Sequence, residues 1–156
     1  MKILFVCTGN SCRSPMAEAL FEARMPESWR EAVEASSAGT AAADGMKAAP
    51  HAIKALAAIG VNLHDHRTRY LTRRMIEEAD LIVAMAGEHR DEIADLVPRA
   101  REKIVVLGEI DPRRDSPDIA DPIGRDEETY RGTRDEIDEL TTMLIDYLVV
   151  NYDLVK

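Results

Sequence analysis

Cysteine is nearly missing from this chain: two occur in 156 residues, Cys7 and Cys12. Two thiols make no disulfide framework, and without neighbouring histidines they make a poor zinc site. Long apolar runs are missing too. Nothing approaches the roughly 20 residues that a membrane-spanning helix needs, so no membrane association is expected. Only four apolar residues separate Lys2 from Cys7, too few for the core of a secretory signal, and a cytoplasmic location is the default expectation. Positive charge is in deficit. With 20 Lys and Arg against 29 Asp and Glu the net charge is −9, which argues against a general nucleic-acid binder. A small positive pocket survives that balance, because local charge can oppose the global one. There is no internal repeat and no low-complexity tract.

What is present is ordinary globular material, 46% apolar and 31% charged. A chain of this length buries a proper core without staples, so one domain over residues 1–156 is expected. Residues 2–6 read as a buried parallel strand, near-continuously apolar. Pro15 suits a first helical position, and the helix continues to Arg24. A short strand over Val33–Ser37 ends at Gly39. Pro50 opens a helix with Ile53, Leu56 and Ala57 on one face and Gly60 as its stop. Thr72 caps a short helix that turns Met75 and Ile76 inward. Leu81–Met85 is a strand, Glu88–Val97 a helix ended by Pro98, and Ile104–Leu107 a fourth strand. A polar loop with three prolines runs from Gly108 to about Arg125. The longest helix then places Tyr130, Arg134, Ile137, Leu140, Thr141, Leu144 and Leu148 at helical spacing. Alternating strands and helices predict an α/β fold around a central parallel sheet.

The chemistry concentrates in CTGNSCRSP, Cys7 to Pro15. The span from Cys7 to Arg13 is long enough to wrap a tetrahedral dianion in a shallow bowl. Gly9 and Asn10 tolerate left-handed backbone angles, so successive N–H groups of Thr8 to Ser14 can face one centre. The loop runs into the Pro15 helix, whose positive end faces the same centre. Arg13 can fold back to grip two phosphate oxygens, and Ser14 can donate a hydrogen bond to the Cys7 sulfur. Each of these favours the thiolate, which is the nucleophile. A bare Cys-x5-Arg would signify little; following a strand, containing Gly-Asn and leading into a helix, it signifies a phosphate-binding nucleophile.

This stretch resembles the phosphate-binding loop of the low-molecular-weight protein tyrosine phosphatase family, and the resemblance covers nearly the whole chain. SSAGT (Ser36–Thr40), HRTRYLT (His66–Thr72), ADLIVAM (Ala79–Met85) and DIADPIG (Asp118–Gly124) fall in the family's order. It implies a four-stranded parallel sheet flanked by helices, which agrees with the element reading. A thiolate attacking phosphorus needs an acid to protonate the leaving group. By pattern alone Asp111, Asp115, Asp118 and Asp121 are equivalent, although Asp111 and Asp121 each precede a proline. The resemblance selects Asp121 and leaves the other three as solvated loop charges. It implies a phosphocysteine intermediate on Cys7, with Arg13 and the loop amides holding the equatorial oxygens, and no metal or cofactor. It also assigns Ser37 and His66 to hydrogen-bond through Asn10 and Ser14 and hold the loop's shape. His64-Asp65-His66 lacks a third ligand and is not read as a metal site. Cys12 is implied to be a redox guard, trapping Cys7 as a disulfide under oxidation.

Substrates are then phosphorylated proteins, and a monomer or weak dimer is expected. Phosphotyrosine members wall the pocket with aromatic rings after SAGT and after Asp-Pro; here those segments read Ala41–Met46 and Ile123-Gly-Arg-Asp, with no aromatic. The protein arginine phosphatase branch of the family is the more similar one, carrying CTGNTCRSP and Asp-Pro-Phe-Gly. Ser11 and Ile123 therefore become the specificity positions, and phosphoarginine the expected preference, with a phosphotyrosine-preferring enzyme as the alternative. Serine lacks threonine's methyl, so residual phosphotyrosine activity fits this loop. A thiol-linked arsenate reductase would use the same loop but needs relay cysteines, and none follows Cys12. A non-catalytic anion binder would need neither Cys7 nor Asp121.

Overall fold

The apolar run behind Lys2 forms β1 (Lys2–Cys7), and its side chains alternate between the two faces of a sheet. In the computed structural model, which describes residues 1–156, Ile3 and Phe5 enter one apolar cluster while Leu4 and Val6 enter another. Every residue from Ile3 to Cys7 is buried, as in any strand covered on both faces. β2 (Glu34–Gly39) pairs with one edge of β1, from Lys2↔Glu34 to Cys7↔Gly39, and β3 (Leu81–Ala84) with the other, from Ile3↔Leu81 to Val6↔Ala84. β4 (Ile104–Val106) adds beyond β3. The order is β2-β1-β3-β4 and every pairing is parallel, the α/β architecture expected from the alternation of elements.

Helices cover both faces. α1 (Arg13–Arg24), α2 (Pro50–Ala57) and α5 (Glu127–Tyr152) share the larger cluster, in which the Phe5 and Phe21 rings meet at 5.7 Å. α3 (Arg73–Glu78) and α4 (Gly87–Leu96) cover the smaller one through Ile76 and Ile93. The α5 residues picked out by helical spacing, from Tyr130 to Leu148, are all buried. The Thr72 hydroxyl accepts from the Met75 N–H at 3.2 Å and caps α3 as anticipated.

Several boundaries differ from the sequence expectation for local reasons. α1 begins at Arg13 rather than Pro15. Proline is tolerated anywhere in the first turn, where N–H groups have no intrahelical partner, so it marks the turn and not its first residue. The buried face of α2 is Ala52, Ala55 and Leu56, while Ile53 is half-buried and Ala57 exposed. That helix ends before Gly60, which takes φ +78°. Three short 3-10 turns, at Glu27–Trp29, Pro98–Lys103 and Leu107–Ile110, were not visible in the pattern.

Because β1 is flanked by β2 on one side and β3 on the other, the connections leaving its end diverge, and a crevice opens beyond its C-terminus. Cys7 is the last residue of β1. No helix is long and apolar enough to cross a membrane.

Candidate active site

Asn10 holds the loop together. It is fully buried and sits in the left-handed region at φ 53°, a conformation that asparagine tolerates better than most residues. Its Oδ1 accepts from the Arg69 backbone N–H at 2.9 Å. A backbone N–H can only donate, so this contact fixes the amide orientation and leaves Nδ2 as the donor to both Ser14 Oγ and Ser37 Oγ, each at 2.9 Å. Asn10's carbonyl oxygen meets His66 Nε2 at 2.9 Å. Gly9, expected to share the left-handed turn, does not have positive φ; Asn10 alone makes it. One reversed residue suffices to swing the chain from the strand into α1.

The result is a cup around sulfur. Cys7 Sγ lies 2.9 Å from Ser14 Oγ and accepts from the Asn10 N–H at 3.3 Å. Ser14 Oγ already accepts from Asn10 Nδ2, so its own proton is free to point at the sulfur. No side chain caps the N-terminus of α1, and the first N–H groups of that helix stay available at the rim. Gly39 lets this loop lie against β2: a Cβ there would collide with the Thr8 carbonyl and come within 2.8 Å of the Asn10 nitrogen.

Arg13 is buried, with Nη1 donating to the Ile119 carbonyl at 2.9 Å and Nη2 lying 3.3 Å from Asp121 Oδ2. Asp121 comes from the polar loop before α5, and its side chain is 40% exposed against 5% for Arg13. Both line a cavity of about 100 Å³, with Cys7, Thr8, Gly9, Ser11, Cys12 and Ile123. Its volume suits a small tetrahedral anion with the rest of a larger molecule outside, and none of its lining side chains is aromatic.

Against known proteins, the model of the family "Low molecular weight phosphotyrosine protein phosphatase" matches residues 2–153. The chain belongs to that family. A protein-arginine-phosphatase of Bacillus subtilis is 42% identical over 92% of this chain and 94% of its own length. The Wzb low-molecular-weight protein-tyrosine-phosphatase of Salmonella typhi is 34% identical over 92% and 86%. Among solved structures, a C7S mutant of the YwlE arginine phosphatase with a phosphorylated active-site serine superposes with a TM-score of 0.88 at 40% identity, covering 99% of this chain and 100% of that one.

In this family member, residues outside the motif contribute more than sequence reasoning allowed. Ser37 Oγ donates a hydrogen bond to the Glu18 carboxylate, whose pKa burial raises. Arg69 serves twice, through its backbone N–H and through Nε donating to the Ser37 carbonyl at 3.1 Å. His66 is half-buried, and burial, with Arg69 and Arg67 nearby, lowers its pKa. Cys12 is buried with Sγ 3.3 Å from the Tyr130 hydroxyl, and burial pushes its thiol up.

One aspartate expected to be a solvated charge is not. Asp111 is buried and takes a two-point contact from Arg113, whose hydrogen bonds lower its pKa. Asp118 accepts from the Gly87 N–H at 2.8 Å, joining the polar loop to the start of α4. Asp115 and Asp118 remain exposed. No group of three or more His, Cys, Asp or Glu side chains is placed to hold a metal. His89 was not singled out at all: it is fully buried beside Thr8. Only its position shortly after a strand end hinted at the site.

Proposed function

We propose that the chain is a metal-independent protein phosphatase that works through a phosphocysteine on Cys7 and prefers phosphoarginine. The observation that carries this is the cup itself, a sulfur hydrogen-bonded by Ser14 and the Asn10 amide in one small cavity that Arg13 and Asp121 also line. Cys7 Sγ attacks phosphorus and forms the S–P bond. Arg13 and the amides of Thr8 to Ser14 hold the equatorial oxygens while charge redistributes. The bond to the leaving atom breaks as Asp121 delivers a proton to that atom. Asp121 then takes a proton from water, the hydroxide attacks phosphorus, and Cys7 departs as thiolate. A relative with a phosphorylated active-site serine supports attack from this loop position.

For phosphoarginine the leaving atom is a guanidino nitrogen, and the broken bond is P–N. The preference is supported by the protein-arginine-phosphatase relatives and by a rim of Ser11 and Ile123 that offers a phenyl ring no stacking partner. Stacking contributes on the order of 1 kcal/mol per aromatic pair, so loss of one pair is felt about fivefold in relative rate. Two free buried thiols suit a reducing compartment, in keeping with phosphorylated proteins of the cytoplasm as substrates. Were Cys7 oxidised to a sulfenic acid, condensation with the Cys12 thiol would release water and leave a reducible disulfide. The test is a paired rate measurement on phosphoarginine and phosphotyrosine peptides. Wild type favours the first, Cys7→Ser hydrolyses neither, and Ser11→Ile shifts the ratio toward phosphotyrosine. A wild-type preference for phosphotyrosine overturns the substrate assignment, and turnover by Cys7→Ser overturns the mechanism.

A further inference from the structure

His89 is an oddity of this fold. It lies in the first turn of α4 with no exposed surface, and its Nδ1 is buried with no hydrogen-bond partner. Its Nε2 lies 2.9 Å from Thr8 Oγ1, inside the phosphate loop. Burial, and then the neighbouring Arg13 charge, lower its pKa to about 4, so the ring is neutral at physiological pH and carries one N–H. Which nitrogen holds that proton follows from the surroundings. A buried N–H without an acceptor is rarer and costlier than a buried lone pair without a donor. The proton therefore sits on Nε2, and His89 donates to Thr8.

That assignment decides what Thr8 does. Its oxygen takes the His89 N–H and faces Arg13 Nη2 at 3.5 Å. With donors on both sides of the oxygen, the hydroxyl proton is the one remaining group, and Thr8 lines the cavity with Cys7, Arg13 and Asp121. The Glu88 carboxylate stands 3.7 Å from the same nitrogen, beyond hydrogen-bond range, and its side chain is 65% exposed.

We infer that His89 is a positioning residue: by donating to Thr8 Oγ1 it turns the Thr8 hydroxyl into a further hydrogen-bond donor to the phosphoryl group. This rests on the reading of the cup as a phosphate site. Thr8 then contributes through its side chain as well as its amide, and a residue on the far side of the sheet's end tunes anion affinity without touching the anion.

The probe is inorganic phosphate as a competitive inhibitor of para-nitrophenyl phosphate hydrolysis. Thr8→Val removes the hydroxyl and raises the inhibition constant about tenfold, as for loss of a hydrogen bond to a charged group. His89→Asn, whose amide reaches only the Nδ1 position, raises it comparably, whereas His89→Gln places an N–H near Nε2 and stays within about threefold of wild type. The double variant Thr8→Val/His89→Asn loses about tenfold in total, not a hundredfold, because one interaction is removed twice. Additive losses, or equal losses in the Asn and Gln variants, overturn the inference and leave the phosphate site standing. Failure of inorganic phosphate to inhibit the wild type removes both.

Discussion

Replacing Asn10 separates the two devices that hold the loop, its left-handed turn and its side-chain bonds. Asn10→Gly keeps the backbone conformation and deletes the three contacts to Arg69 N–H, Ser14 Oγ and Ser37 Oγ. The two hydroxyl oxygens lose a donor, while Cys7 and Glu18 remain as acceptors for their own protons. The part-buried Arg69 N–H loses its acceptor, and a donor left unpaired costs about 1–3 kcal/mol. With roughly 1 kcal/mol for the two remaining bonds together, Asn10→Gly is expected to destabilise the protein by about 3 kcal/mol. Asn10→Ala loses the same bonds and adds the strain of a Cβ at positive φ, a further 1 kcal/mol or so. Asn10→Asp keeps the Oδ1 acceptor but substitutes an acceptor for the donor facing Ser14 and Ser37.

Urea unfolding at constant m value reads these differences directly. The order expected is wild type, then Asn10→Gly, then Asn10→Ala, with turnover of para-nitrophenyl phosphate falling at least tenfold in both because Ser14 no longer receives the proton that directs its own toward Cys7. If Asn10→Ala is as stable as Asn10→Gly, positive φ is not a constraint in solution. If either variant matches wild type in turnover, the cup does not depend on Asn10 and the account of how sulfur is held is wrong.

Gly39→Ala pushes a methyl against the Thr8 carbonyl and the Asn10 nitrogen; overpacking of this kind costs about 1–3 kcal/mol, and because the atoms struck belong to the loop, phosphate affinity falls more than stability does, as inhibition and unfolding measured side by side would reveal. Asp121→Asn slows release of poor leaving groups most, by about 100-fold or more, and leaves inorganic phosphate binding within a few-fold; equal loss across a series of substituted phenyl phosphates rejects the acid. Burial, and then the Arg13 charge, outweigh the opposing pull of Asp118 and Asp121 and depress the folded pKa of His89 to about 4 against 6.5 unfolded. Its contribution to stability is complete above pH 6.5 and is lost as the pH falls toward 4, at up to about 1.4 kcal/mol per pH unit. His66, shifted the same way, adds to that slope, so the measurement is the difference between wild type and His89→Gln, and parallel stability curves for the two would refute it.

The loop was legible because its requirements are local. A nucleophile, a turn, an arginine and a helix start lie within nine residues of one another, Cys7 to Pro15, and each has its own chemical signature. The parallel sheet was legible for a similar reason, since Ile3–Val6 and Leu81–Ala84 are apolar throughout and only double-sided burial explains that. What could not be read was whatever depends on two distant segments meeting. Asp111 and Asp118 look alike in the chain, but one closes on Arg113 and the other on the Gly87 amide. Glu18 and Arg69 have surface-like identities, and only the packing of α1 against β2 and the course of the segment before α3 bring them behind Asn10. His89 gave no periodic signal, because a single buried polar side chain at a helix start leaves the apolar pattern unchanged.

Three hydroxyls around this loop follow one rule. Ser14 accepts from Asn10 and is left with a proton facing Cys7; Ser37 accepts from the same amide and donates to Glu18; Thr8 accepts from His89 and keeps its proton for the cavity. A hydroxyl alone rotates freely and directs nothing. Paired with a donor that cannot reverse, it has a single remaining direction. Asn10 cannot reverse because Arg69 N–H fixes its oxygen, and His89 cannot because its other nitrogen has nothing to bond. The strongly acidic chain therefore builds an anion site without a surplus of cations. One buried arginine supplies charge, and a set of oriented dipoles, aligned before the anion arrives, supplies the rest.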